Sequence, residues 1–285
     1  MADIYIAWSL MAVLSAGVFG GTLWGTRKLP RWCCDVLGVA AIIGMLFYIW
    51  FVWDNVWLAK VLPFSNLIVL GNWFPLLTSF LAALVWRRTD GHVLRRSLGA
   101  AALTITGAYS LVAPLLGKSP QCGNLWDGEV CVQTTKNTCT AACAATLLRA
   151  YGITASEQEM AELCFTRRGT TWLGLYHGLK RKTANTAWDV EVVQCDAAEL
   201  RQIATKPMIL RVGLEKNAQV DADYESELGW RPGVGHSVVL LRFVGDSYAE
   251  ILDPTPDVGR EQWTLDNFEL LWRGQAVRLV PKAAP

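Results

Sequence analysis

The chain has 285 residues, of which 52% are hydrophobic, and its formal net charge at pH 7 is +1. A chain this apolar is not intrinsically disordered, and its nearly neutral charge does not supply the basic surface on which nucleic-acid binding depends, so we expect no nucleic-acid partner. The long apolar runs lie almost entirely before Lys118, whereas the remainder mixes charged and apolar residues. We therefore predict a membrane domain at residues 1–117 and a soluble domain at residues 118–285.

The membrane domain contains four apolar runs, at approximately residues 4–24, 33–53, 64–86 and 98–116. Each run is close to the ~20 residues that a helix needs to cross the hydrocarbon core of a bilayer. The first run follows an acidic residue, Asp3, and is too long for the apolar core of a cleavable signal, so we expect it to be retained. The pattern predicts a multi-pass α-helical membrane domain of four helices, with the lipid bilayer as its partner.

Cationic residues indicate the orientation of these helices. The loops after the first and third runs carry Arg27, Lys28, Arg31, Arg87, Arg88, Arg95 and Arg96, whereas the second loop carries Lys60. By the positive-inside rule the first and third loops are cytoplasmic. Four crossings from an external N-terminus then place the soluble domain outside the cytoplasm, on the periplasmic or outer face of a bacterial inner membrane.

The soluble domain begins with helical patterns and ends with strand-like runs. We predict helices at residues 139–151, 156–164 and 171–182, the second of which starts with a capping-box sequence, SEQE. Five short runs typical of strands follow, VEVVQ, MILRVGL, HSVVLLRFVG, YAEILD and VRLVP. Helices followed by antiparallel strands indicate an α+β domain.

Cys139 opens the first of these helices, where the positive end of the helix dipole and a nearby imidazolium would both favour a thiolate. Of the three histidines, His236 is the best candidate base, because His92 lies in a membrane loop and His177 is predicted on a helix surface. Asp253 ends the strand that follows His236. Pairing of these two strands through the turn GDS would bring His236 and Asp253, at similar distances from the turn, to the same open end of a hairpin.

Gln133 lies six residues before Cys139. An amide in this position and the Cys139 backbone N–H can donate to the oxyanion that forms when a thiolate attacks a carbonyl, each donor contributing about 3 kcal/mol. Taken alone, Cys139 is most simply an inert buried thiol. Taken together, Cys139, His236, Asp253 and Gln133 form a set of candidate catalytic residues that needs no cofactor and no metal.

Other interpretations of the same region stay open. Cys143 shares a helical face with Cys139 and is a core residue, a resolving thiol or a metal ligand. A zinc site from Cys139, Cys143, His236 and Asp253 would lack the usual close ligand spacing. Two further cysteines, Cys122 and Cys131, have a spacing compatible with a disulfide or with two unrelated thiols. Three tryptophans either line a peptide cleft or pack in the core: Trp230, Trp263 and Trp272.

The order of these motifs resembles the C39 peptidases, papain-like cysteine peptidases best known as the leader-cleaving domains of bacteriocin-exporting ABC transporters. The resemblance covers about residues 130–272 and rests on Gln133, on Cys139 with the AACAATLLRAYG that follows, on GTTWLGLYHGLK, on GHSVVLL and on DPTPDVGREQWTLDNFELLW. It implies that Gln133 is the oxyanion donor, Cys139 the nucleophile, His236 the base and Asp253 the orienting acid.

The chain departs from that family at two flanking positions and in its domain order. Thr138 and Thr140 stand where the family has aspartate and glycine, and we expect Thr140 to narrow the cleft or to shift the preferred residue before the scissile bond. The membrane helices precede the peptidase-like domain instead of following it.

The sequence thus predicts a membrane-anchored cysteine peptidase acting on a peptide or protein substrate near the membrane. One alternative is a catalytically silent module that binds a peptide and contacts a transporter or another membrane-protein partner. Another is a transferase or amidase that uses the same thioester chemistry.

Overall fold

A computed structural model describes residues 2–55, 57–219 and 229–282 of the chain. It consists of two compact units, residues 1–116 and 117–285. The first unit contains four long apolar helices and the second combines helices with antiparallel sheet. The predicted fold class, a helical membrane domain followed by an α+β domain, is therefore confirmed.

The helices of the first unit are α1 (Ala2–Thr26), α2 (Arg31–Phe47), the single turns α3 (Leu58–Val61) and α4 (Leu67–Leu70), α5 (Phe74–Arg88) and α6 (Val93–Val112). A π-helical turn, Tyr48–Val52, extends α2. The segments long and apolar enough to cross a membrane are Asp3–Thr26, Arg31–Val52, Leu67–Arg88 and Val93–Leu115. Each corresponds to one of the four apolar runs seen in the sequence.

Ion pairs connect the loop after α1 to the loop after α5. Arg31, at the start of α2, pairs with Asp90, and Arg88, at the end of α5, pairs with Asp35 at 2.8 Å. All four side chains are more than half exposed, so each pair adds little stability by itself. Their positions nevertheless show that the two cation-rich loops lie at the same end of the unit.

The helices of the second unit are α7 (Cys139–Ala150), α8 (Glu157–Leu163), α9 (Trp172–Thr183), α10 (Ala197–Ile203) and α11 (Leu265–Leu271). Its strands are β1 (Leu125–Asp127), β2 (Val130–Val132), β3 (Trp188–Gln194), β4 (Met208–Val212), β5 (His236–Val244), β6 (Tyr248–Asp253), β7 (Gly259–Thr264) and β8 (Trp272–Pro281). The strands β1 and β2 form a hairpin, and the others form an antiparallel sheet in the order β3–β8–β4–β5–β6–β7.

Helix α7 is the centre of the second unit. Its residues from Thr140 to Leu148 are all buried, and it contacts β5, β2 and α8. Alanine is the strongest helix former, and its small side chain lets neighbouring backbone approach closely, which explains how one helix packs on several sides. The residue at the start of this helix, Cys139, is thereby held in a fixed position relative to β5.

The pairing of β5 with β6 differs in detail from the predicted hairpin. Val239 pairs with Leu252, and the register shifts between Leu240 and Arg242, where β5 carries an extra residue. The prediction that His236 and Asp253 are equally far from the turn was wrong, because His236 lies ten residues and Asp253 seven residues from Asp246 at the centre of the turn. Strand β5 runs beyond the end of β6, so His236, its first residue, reaches Asp253 diagonally.

The prediction that His177 lies on a helix surface was also wrong. Its side chain is buried, and its ring stacks on Phe165 with the ring centroids 4.8 Å apart. Helix α9 is buried along most of its length. An argument from the periodicity of one helix could not show that both of its faces are covered.

Glu157 is a fully buried carboxylate at the start of α8. Its two oxygens accept hydrogen bonds from the backbone N–H and the hydroxyl of Thr134, each at 2.8 Å. These bonds offset the cost of burying a charge and hold the segment between Gln133 and α7 against α8.

We expect Glu157→Ala to lower the free energy of unfolding by about 1–3 kcal/mol, because the Thr134 N–H would be left buried without an acceptor. The thermal unfolding midpoint of the detergent-purified protein measures this effect. Glu162→Ala, on the exposed side of the same helix, is the matched control. Equal midpoints for the two variants would show that the Glu157 contacts do not stabilise the domain.

Candidate active site

Cys139 is the first residue of α7. The hydroxyl of the preceding residue, Thr138, accepts a hydrogen bond from the Thr135 N–H at 3.2 Å and does not cap the helix. The backbone N–H groups of the first turn therefore keep their partial positive charge near the sulfur. This electrostatic environment favours a thiolate over a thiol.

His236 and Asp253 are in direct contact. His236 Nε2 lies 3.0 Å from Asp253 Oδ1 and 3.1 Å from Oδ2. The Thr255 backbone N–H donates to Asp253 Oδ1 at 2.7 Å, so two donors fix the orientation of the carboxylate. The contact indicates that Nε2 carries a proton and donates it to the Asp253 carboxylate, so Nδ1 is the ring nitrogen of His236 that is available to Cys139.

Cys139 and His236 line the same cleft, and the interaction between them decides the charge state of both groups. Burial by itself raises the pKa of Cys139, but hydrogen bonds from His236, Thr140 and the Ser237 backbone lower it below its usual value. Burial by itself lowers the pKa of His236, but hydrogen bonds with Asp253 and Cys139 raise it to about 10. The pKa of Asp253 is lowered despite its burial, chiefly by His236. The arrangement therefore favours a thiolate–imidazolium pair at neutral pH.

Gln133 follows β2 and lies in the same cleft. Its backbone N–H donates to the Pro254 carbonyl at 2.7 Å, which joins the Gln133 segment to the turn after Asp253. The side-chain Oε1 of Gln133 is buried and has no hydrogen-bond partner among the described residues. An amide left partly unsatisfied inside a cleft is a group that a ligand can use.

Cys139, His236, Asp253 and Gln133 all line one cleft of about 460 Å³. Two of the three tryptophans form its wall: the Trp230 ring lies edge-on to the Trp263 ring at 5.7 Å and to the His236 ring at 5.8 Å. Trp272 is instead buried in the sheet core against Phe268. Four side chains predicted from separate stretches of sequence are thus brought together, and two aromatic residues shield them.

Cys143 is a buried thiol that points away from the cleft lining. Its Sγ donates to the Ser237 carbonyl at 3.1 Å, and burial raises its pKa well above the usual value. Among residues 2–55, 57–219 and 229–282, no group of three or more His, Cys, Asp or Glu side chains is arranged to hold a metal ion. The interpretation of Cys143 as a core residue fits these contacts.

Thr140 does not line the cleft, so the first of the two expectations for this residue, a narrowed cleft, was wrong, and an effect on the residue before the scissile bond stays a prediction. The Thr140 side chain is buried, and its hydroxyl lies 2.9 Å from that of Ser237. The second position of α7 faces β5 and not the cleft, which explains the difference.

Cys122 and Cys131 are both free thiols in this structure, and burial raises the pKa of Cys131 to about 12.

Sequence reasoning missed two residues that contact the site, Thr255 and Ser237. Thr255 presents both its N–H to Asp253 and its hydroxyl, 3.5 Å from His236 Nε2. An aspartate whose carboxylate accepts from the N–H two residues later forms an Asx turn, and the sequence DPT carried that signal. Ser237 had no such signal, because its role depends on the packing of α7 against β5.

Residues 128–219 match the family model described as the Peptidase C39 family. The matched segment includes Gln133 and Cys139 and ends before His236 and Asp253. No curated protein matches the chain.

Solved structures similar to the chain include three peptidases. The peptidase domain of Streptococcus ComA, a bifunctional ABC transporter of a quorum-sensing pathway, is 24% identical, with 53% of this chain and 96% of that chain covered and a TM-score of 0.42. A double-glycine-motif protease from an AMS/PCAT transporter, in complex with the leader peptide, is 18% identical, with 58% and 95% covered and a TM-score of 0.41. The peptidase domain of Streptococcus mutans ComA is 22% identical, with 54% and 99% covered and a TM-score of 0.38.

We expect Asp253→Asn to lower the pKa of His236 from about 10 toward its usual value and to raise the pKa of Cys139, because the charge that stabilises the imidazolium is removed. Thiolate-dependent alkylation of Cys139 rises with pH through the thiol pKa. Its midpoint should therefore move upward by about one unit, which is roughly a tenfold slower reaction on the acid side. Intact-mass kinetics with iodoacetamide measure the profile.

Asp266→Asn, an exposed aspartate of α11, is the control for that measurement. A profile for Asp253→Asn that coincides with the control would show that Asp253 does not sustain the ion pair.

Proposed function

We propose that the Peptidase C39 domain in the C-terminal half of this chain is an active cysteine peptidase that hydrolyses peptide bonds. The observation that carries the proposal is the arrangement of three side chains in one cleft: Cys139 at the start of α7 interacts with His236, whose Nε2 lies 3.0 Å from Asp253 Oδ1. Nucleophile, base and orienting acid are the three roles that thiol-dependent acyl transfer requires.

The reaction follows from these positions. The Cys139 thiolate attacks the carbonyl carbon of the substrate, and the oxyanion accepts hydrogen bonds from the Cys139 backbone N–H and the Gln133 amide. The His236 imidazolium gives its proton to the amine that leaves, so that a thioester and a neutral imidazole remain. The imidazole then removes a proton from water, whose oxygen attacks the thioester and releases the acid and the thiolate. Asp253 holds the ring orientation and stabilises its charged form throughout.

The four apolar helices of the first unit indicate a membrane anchor, which would restrict the enzyme to peptide or protein substrates near the bilayer. The asymmetry in loop cations supports an extracytoplasmic position of the peptidase domain, because seven cations lie in the first and third loops and Lys60 lies in the second.

The proposed activity predicts that Cys139 reacts with a peptidyl electrophile far faster than an ordinary thiol. His236→Ala should slow this labelling by about 10²–10⁴-fold near neutral pH, since both base and counter-ion are lost. Cys139→Ala should abolish the adduct, as measured by intact mass of the full-length protein. Cleavage of a test peptide should fall in parallel.

His92→Ala, at the start of α6, is the control for a histidine outside the site. Slow labelling that does not depend on His236 would contradict the peptidase proposal, and a peptide that binds without being cut would then indicate a binding module.

The orientation can be measured with introduced cysteines in intact cells. A membrane-impermeant maleimide should label Gln202→Cys, on the exposed surface of α10, and should not label Leu29→Cys, in the loop between α1 and α2. Mass spectrometry of the peptide around each position separates the new thiols from the native ones. The opposite labelling pattern would place the peptidase domain in the cytoplasm.

A further inference from the structure

Two buried hydroxyl groups lie behind the candidate nucleophile. Thr140, the second residue of α7, is 7% exposed, and Ser237, the second residue of β5, is 5% exposed. The Oγ1 of Thr140 and the Oγ of Ser237 are 2.9 Å apart, which is a hydrogen-bond distance. The pair therefore joins the helix that begins with Cys139 to the strand that begins with His236.

Both residues also contact the sulfur of Cys139. Thr140 Oγ1 lies 3.9 Å from Cys139 Sγ, and the Ser237 backbone is near enough to the same sulfur to lower the pKa of Cys139. The Ser237 carbonyl is occupied by the Cys143 thiol at 3.1 Å. Ser237 is thus held at its carbonyl and its hydroxyl, and its side chain has a defined direction relative to Thr140.

The direction of these hydrogen bonds follows from the charge of the sulfur. A hydroxyl has a single proton, so Thr140 can donate to Ser237 or to Cys139, but not to both. A thiolate has no proton to donate and only accepts. Once Cys139 is ionised, both contacts of Thr140 are satisfied only if Ser237 donates to Thr140 and Thr140 donates to the sulfur.

We propose that Thr140 is a positioning residue for the nucleophile: the Ser237 hydroxyl donates to Thr140 Oγ1 and thereby directs the Thr140 proton to the Cys139 thiolate, which it stabilises. The inference rests on the proposed peptidase function and deepens it. The Cys139 sulfur then has two donors, the Thr140 hydroxyl from α7 and the His236 imidazolium from β5. Hydrogen bonds to a charged group are stronger than those between neutral groups, so even a long contact to sulfur changes the thiol equilibrium.

Other titratable and charged groups also face this sulfur or the cleft around it. They are His236 in β5, Asp253 in β6, Cys143 in α7, Lys136 in the segment before α7, Arg231 in the segment before β5, and Glu261 in β7. The substitutions that test the proposal leave all of them in place. A change in the pH profile can therefore be assigned to the hydroxyl pair.

The experiment measures the rate of Cys139 alkylation by iodoacetamide against pH, on full-length detergent-purified protein. Thr140→Val keeps the shape of the side chain and removes its hydroxyl. We expect the midpoint of its profile to rise by about half a unit to one unit, which is roughly threefold to tenfold slower labelling on the acid side. Thr140→Ser keeps the hydroxyl and should retain the wild-type midpoint. Ser237→Ala, which removes the directing donor, should give a smaller rise.

Two further variants separate this effect from simple destabilisation. Thr140→Val leaves the Ser237 hydroxyl buried without its partner, whereas the double variant Thr140→Val/Ser237→Ala removes both groups and should fold at close to wild-type stability. The double variant should still show the raised midpoint. Thr146→Val, which removes another buried hydroxyl of α7 that accepts from the Cys131 N–H at 2.9 Å, should leave the midpoint unchanged.

The outcomes distinguish this inference from the proposed function. Fast, His236-dependent labelling of the wild type with an unchanged midpoint in Thr140→Val and in the double variant would overturn the inference alone. A midpoint lowered by Ser237→Ala would also overturn it, because Thr140 would then be donating to Ser237 in the wild type. Slow, His236-independent labelling of the wild type would overturn both.

Discussion

The candidate site depends on the packing of α7 against β5. Cys139 begins the helix and His236 begins the strand, so the separation of thiol and imidazole is set by how closely these two elements approach. The alanine-rich sequence of α7 allows that close approach, and buried side chains of β5 and β6 form the sheet core beneath it. A larger side chain on the contact face of α7 would move the Cys139 thiol away from the His236 imidazole. Such a displacement would lower the reaction rate before it lowered the free energy of unfolding.

The remaining parts of the site are connected to this contact by backbone hydrogen bonds. Asp253 ends β6, the turn after it supplies the Thr255 N–H to its carboxylate, and the same turn offers the Pro254 carbonyl to Gln133. The oxyanion donor and the orienting acid are therefore positioned by one turn. The buried Glu157 fixes the other side of the Gln133 segment through Thr134. Asp253 is thus held by the Thr255 N–H, and the Gln133 segment is held by the Pro254 carbonyl on one side and by Glu157 on the other.

Most of this arrangement was predictable from the sequence, because strong local signals accompany it. Helices α8 and α9 have clear starts, with Ser156 and Thr171 accepting from the N–H three residues later in the structure, and α7 has a continuous run of good helix formers. Strands β5 and β6 have continuous apolar runs between turn residues. The strands that the sequence did not reveal are short, as in β1 and β2, or polar and at the sheet edge, as in β7. Helices α10 and α11 were missed although Asp196 and Thr264 cap them.

The errors in the site have a common physical cause. Local patterns show which residues a helix contains, but they do not show how many of its faces other elements cover. The burial of His177 and the inward direction of Thr140 are both set by tertiary contacts. The register shift in β5 is another such case, since an extra residue in one strand leaves no distinct sequence mark.

The adjacency of His236 and Ser237 makes the site sensitive to chain length. Neighbouring residues of a strand point to opposite faces, and β5 is paired on both sides, with β4 and with β6. Loss of a single residue between Ser237 and the bulge at Leu240 would carry the imidazole into the place of the Ser237 side chain and leave Gly235 in the place of His236. Insertions in the turn at residues 245–247 would leave that register untouched. A change in residue number is therefore harmful before the bulge in β5 and tolerated in the turn of the same hairpin.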